Sequence, residues 1–246
     1  MAHFTEPMIS PMSARIPRAI LACLLSGVSV QSSEVIQLDV RPVLTGRAVT
    51  TLTAGKLVPW TQGIDGGGRA DGYLTLEAAA ANGNPLVKAL PDDGCFAANT
   101  VHPIVRLNFS NADGKNPQSR GVIGEGKFSI TVPENRYERM MLFMTSAEGP
   151  SQLRVQLTYA DGTHEARDIP LPDYYNTPSA SETNVFTLAT NLGKWNASGR
   201  LAEPNHHNIH GVDLHPDVRK RLVSVQVGKT IPGYLVFWGA TGVTAD

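Results

Sequence analysis

From about residue 101 to the end of the chain, apolar side chains recur at every second position in short runs. That spacing suits an extended segment with one covered face and one wet face. Phe128, Ile130 and Val132 alternate with Lys127, Ser129 and Thr131. Leu153, Val155, Leu157 and Tyr159 alternate with Arg154, Gln156 and Thr158, and Val223, Val225 and Val227 with Ser224 and Gln226. Less regular runs lie at 35–40, 48–52, 104–109, 140–144, 185–188, 209–214 and 234–238. Together they make about ten short strands separated by turn signals. The pattern predicts an all-β chain, an antiparallel sandwich of the jelly-roll type, and opposes a parallel α/β sheet.

The sharpest local expectation is a β-hairpin. Residues 153–159 lead into Ala160-Asp161-Gly162, and residues 163–169 return. Asp-Gly between strands favours a type I′ turn, in which both central residues take positive φ. Helix is scarce: residues 73–81 are rich in Leu, Glu and Ala, with Asn82-Gly83 as a C-cap and Asp71 as an N-cap. Residues 41–100 carry the fewest signals and read as a loop-rich flank wrapped onto the sandwich. No repeat or long linker divides the chain, so residues 33–246 are expected to be one domain.

Charge excludes some partners. The 21 basic and 22 acidic residues leave a formal net charge of −1, with no excess to neutralise a nucleic-acid backbone. No apolar run reaches the roughly 18 residues that span a bilayer. Arg15 and Arg18 precede an apolar run at 19–30 and then Gln31, Ser32 and Ser33. That order is expected of a signal peptide over residues 1–32, with translation starting at Met1 or Met12 and the product secreted or periplasmic. Cleavage after Ser32 would leave Cys95 as the sole cysteine, so packing, not a disulfide, must supply stability.

Four of the seven histidines fall in one short segment: His206, His207, His210 and His215, with Asp213 among them. Imidazole and carboxylate are the ligands of many transition-metal sites. Strand alternation would put His207, Asp213 and His215 on one face, which makes them the preferred metal set. In a second stretch, 65–73, Asp65 and Asp71 bracket a glycine-rich loop that could clasp Ca²⁺, or merely turn before a helix. Aromatic residues are few, and Trp60, Tyr174, Tyr175 and Trp195 fall in or beside expected loops, where rings can stack on sugars. No spacing specifies a catalytic pair, and Gly-x-Ser-x-Gly is absent.

Tyr159-Ala160-Asp161-Gly162-Thr163, followed by Leu171-Pro172-Asp173-Tyr174, resembles the galactose-binding-like jelly-roll modules of secreted carbohydrate-active proteins. The resemblance covers residues 120–240 and implies a β-sandwich in a carbohydrate context. It departs from many such modules in having Tyr174 where they carry Trp. Three readings follow: a secreted carbohydrate-binding sandwich, a polysaccharide-degrading enzyme using residues 203–215, and a structural or interaction domain of the cell envelope.

Overall fold

The computed structural model describes Met1, residues 33–66 and residues 70–246. The expected signal segment, residues 1–32 apart from Met1, lies outside the described residues, as do residues 67–69. Among the described residues no helix is long and apolar enough to cross a membrane.

The N-terminal part contributes short elements: β1 (Val35–Gln37), β2 (Val49–Thr53), β3 (Lys56–Val58), β4 (Tyr73–Leu74), α1 (Leu76–Ala81), β5 (Cys95–Phe96) and β6 (Val105–Arg106). Longer strands follow: β7 (Arg120–Ile123), β8 (Gly126–Asn135), β9 (Tyr137–Ala147), β10 (Ser151–Tyr159) and β11 (His164–Leu171). The last four are β12 (Val185–Trp195), β13 (Leu201–Leu214), β14 (Leu222–Lys229) and β15 (Tyr234–Thr244). One sheet runs β1-β15-β9-β13-β12, with β7 sharing the β1 edge of β15; the other runs β11-β10-β14-β8. All pairings in both sheets are antiparallel. The order β7-β15-β9-β13 opposite β8-β14-β10-β11 is that of a jelly roll, and β12 is an added edge strand.

Alternation explains the inner layer. Phe128, Ile130 and Val132 of β8 pack with Leu153, Val155 and Leu157 of β10 and Val225 and Val227 of β14. They meet Met140, Leu142 and Met144 of β9 and Leu235 and Phe237 of β15. The larger sheet is covered on its second face too. There Met141, Phe143, Val236 and Trp238 are buried by Val49, Ile64, Tyr73, Leu90 and Phe109 from the N-terminal part. Strands covered on both sides need apolar residues at consecutive positions, which is why 140–144 and 234–238 show no clean alternation.

Two local expectations are corrected. The hairpin forms, but Asp161 does not take positive φ; Gly162 alone does, at 82°. The Gly162 N–H bonds the Tyr159 carbonyl at 3.0 Å, and the Tyr159 N–H bonds the Thr163 carbonyl at 2.9 Å. This is a three-residue loop with a left-handed glycine, and Asp161 instead accepts from the Thr163 N–H and hydroxyl. Replacing Gly162 by Val is therefore expected to destabilise by about 1 kcal/mol or more, since a β-branched residue resists that φ. An unchanged urea midpoint would show the loop relaxing to another turn. The helix is also shorter than expected. Thr75, not Asp71, is its N-cap and accepts from the Ala78 N–H. Tyr73 and Leu74 are strand, because Tyr73 is needed in the core, fully buried and stacked 5.9 Å from Trp238.

Candidate functional site

At the β12 end of the larger sheet the regular ladder breaks. β12 and β13 pair through four register shifts, with Leu192 opposite His207 and Lys194 opposite Glu203. Asn191 and His206 sit at φ 56° and 81°, strained for residues with a Cβ. Such bulges re-aim side chains, and here Lys194, Glu203 and His207 converge. The turn after β11 supplies the rest. Asp173 accepts from the backbone N–H of Gly149 (2.9 Å) and Tyr175 (3.0 Å). The Tyr174 N–H bonds the Ser146 carbonyl, and its own carbonyl accepts from Asn208. The two tyrosines are thus pinned between β9 and β13.

Lys194 is the hub. Its side chain is 7% exposed, and Nζ lies 3.2 Å from Asp65 Oδ2, 3.2 Å from Asp71 Oδ2 and 3.0 Å from Glu203 Oε1. Burial alone would lower its pKa, but the hydrogen bond to Glu203 and the charge of Asp65 outweigh it and hold the ammonium well above the usual lysine range. Tyr174 donates its hydroxyl to Asp65 Oδ2 at 3.3 Å, and Tyr175 donates to Glu203 Oε1 at 2.9 Å. The Tyr174 ring stacks on His207 at 4.9 Å and lies 4.5 Å from Tyr175. Burial pushes Glu203 up, yet the bonds from Lys194 and Tyr175 bring its pKa below the ordinary value. His207 is fully buried, and desolvation lowers its pKa.

The expected residues divide. Asp65 and Asp71 do come together, but on the ammonium of Lys194, so the chain itself supplies a cation between them. His207 joins the same cluster. Asp213 is engaged elsewhere, accepting from Arg139 Nε (3.1 and 3.2 Å) and Nη2 (2.5 Å). His215 is exposed, with Nε2 3.8 Å from Asp213. His210 Nε2 is 3.0 Å from the Asn176 carbonyl. Among the described residues no group of three or more His, Cys, Asp or Glu is arranged to hold a metal.

The aromatic residues also separate. Trp195 ends β12 fully buried, with Nε1 donating to Asn84 at 3.0 Å. Trp60 is 3% exposed and, with Leu57, Pro59 and Leu74, lines a cleft of about 250 Å³. Tyr174 is buried, whereas Tyr175 is 46% exposed. Two of the four expected platforms are therefore parts of the packing around α1, where Trp60 and Trp195 meet Ala78 and Ala79. Sequence reasoning missed Lys194. Its only signal was a lysine in phase with Leu192 on a strand, which does not distinguish a buried ion pair from a solvent-facing side chain.

No protein-family profile matches the sequence, and no curated protein matches it significantly. Among solved structures, the chain is similar to the CBM22-1–GH10 modules of endo-1,4-beta-D-xylanase 10B of Clostridium thermocellum, complexed with xylohexaose. Identity is 8% and the TM-score 0.29, over 62% of this chain and 26% of that one. The match spans about a quarter of that structure's length, and so loose a likeness carries no argument about ligand or reaction.

Proposed function

We propose that this protein is a carbohydrate-binding β-sandwich whose contact surface is the ring of Tyr175 with the carboxylate of Glu203. The observation that supports it is Tyr175 itself. Among the described residues it is the one aromatic among the exposed large apolar side chains. Its hydroxyl is tied to Glu203, and its ring rests against Tyr174 and His207. A ring already fixed in place loses little entropy on stacking against the C–H face of a sugar, and the adjacent carboxylate accepts from sugar hydroxyls. Secretion belongs to the same proposal and rests on Arg15, Arg18 and the apolar run after them.

Tyr175→Ala is expected to weaken binding to the best ligand on a glycan array about tenfold or more, because one central aromatic commonly dominates a small interface. Its melting temperature should stay close to wild type, as the ring is half exposed. Undiminished affinity in a folded variant would move the contact surface elsewhere. The approach of His207 Nε2 to within 3.6 Å of Glu203 Oε2 favours a second reading, a polysaccharide-degrading enzyme with its site in residues 203–215. Release of reducing ends by the same sample, abolished in Glu203→Gln, would select it.

A further inference from the structure

Lys194 uses one oxygen of each accessible carboxylate and leaves the other. Glu203 Oε1 receives both Lys194 and Tyr175, while Asp71 Oδ2 receives Lys194. Asp65 already accepts at both oxygens, from Lys194, the Tyr174 hydroxyl and the Asp71 N–H. Glu203 Oε2 and Asp71 Oδ1 have no hydrogen-bonded side-chain partner among the described residues. Glu203 and Asp71 are also the more exposed members, at 38% and 24%. Three carboxylates against one ammonium leave the described cluster with an excess of negative charge beside an aromatic ring.

His207 adds an independent constraint. Its Nδ1 lies 3.0 Å from the Leu192 carbonyl, which can only accept, so Nδ1 carries the proton. In the neutral ring Nε2 is then an acceptor. It is buried without a hydrogen-bond partner and points at Glu203 Oε2 from 3.6 Å. Two acceptors therefore face one another across a gap that asks for donors. A sugar hydroxyl offers a single proton. An ammonium offers three, enough for Glu203 Oε2 and His207 Nε2, which lie 3.6 Å apart, with one to spare. These rings already tolerate such a group: Lys194 Nζ lies 5.7 Å from the Tyr174 centroid and 5.9 Å from that of Tyr175.

We propose that this site takes a ligand bearing a primary amine and, on the carbohydrate reading above, that the glycan is built from sugars with a free amino group. The test is calorimetric titration of the full chain at physiological salt with four probes. They are a β-1,4-linked glucosamine oligosaccharide, its N-acetylated counterpart, a xylo-oligosaccharide, and spermidine as an amine without sugar. The glucosamine oligomer is expected to bind at least about tenfold tighter than the acetylated one, and Glu203→Gln to remove about tenfold of that affinity. If Glu203→Gln does not melt cooperatively, Asp71→Asn carries the same expectation. Equal or tighter binding of the acetylated or xylose oligomer overturns the amine inference and leaves the carbohydrate reading standing. Spermidine binding that is lost in Glu203→Gln, with no oligosaccharide bound, keeps the amine site and overturns the carbohydrate reading. Silence from all four probes overturns both.

Discussion

Replacing Lys194 by methionine is expected to destabilise the protein by about 3–5 kcal/mol, the range seen when one partner of a buried ion pair is removed. Methionine keeps most of the unbranched stem and removes the ammonium, both its charge and its three donors. Asp65, 11% exposed, would then face Asp71 and Glu203 with no countercharge. The site would have to take up protons, admit water or spring open. The loss should therefore shrink in acid. With Lys194 present, the pKa of Glu203 is lowered. Without it Glu203 loses that stabilisation and holds its proton to higher pH, so the variant gains on the wild type as pH falls through the carboxylate range. Urea unfolding of both proteins at pH 7 and near pH 4.5 measures this directly. A deficit below about 1 kcal/mol at pH 7 would mean that the pairs behave as solvent-screened surface contacts.

Trp238→Ala is expected to cost a similar amount, about 3–5 kcal/mol, and to lower the melting temperature by on the order of 10 °C. Trp238 is fully buried on the second face of the larger sheet, stacked on Tyr73, and its Nε1 donates to Thr145 at 2.9 Å. Truncation would leave a large void and an unpaired hydroxyl beneath the N-terminal layer. The strands of that layer are only two to five residues long, so its order depends on what it packs against. Proteolysis of the variant under native conditions should cut first between residues 41 and 110. A melting temperature within about 3 °C of wild type would mean that this layer is only draped over the sandwich and contributes little burial.

The readable part of the chain was the part with one wet face. β8, β10 and β14 alternate because water stands on one side of them. β9 and β15 do not, because a second layer covers them, and that layer is assembled from residues far apart in sequence. The hairpin was legible from Asp161-Gly162, although the turn type was not, since a two-residue and a three-residue loop share that dipeptide. Of the site, Asp65, Asp71, Tyr174, Tyr175 and His207 were each singled out, but in three separate groupings. What unites them is Lys194. It reaches its position through bulges at Asn191 and His206, and no residue pattern specifies where a strand will slip its register. The strict alternation assumed for residues 207–215 grouped His207 with Asp213. Arg139, from the neighbouring strand β9, takes Asp213 for itself.

The strand that closes the jelly roll is the last of its strands to be made on the ribosome. β15 lies inside the larger sheet, between β9 on one edge and β1 with β7 on the other. The Glu34 N–H bonds the Thr244 hydroxyl 210 positions away, and the Thr241 hydroxyl bonds Gln37 across 204 positions. During synthesis β9 therefore waits with the edge that pairs β15 open until residues 234–244 emerge. Long-range pairing of this kind is slow, and a waiting apolar edge is a surface on which nascent chains adhere to one another. Chaperone demand during production would then scale with how long the ribosome takes to deliver those last strand residues.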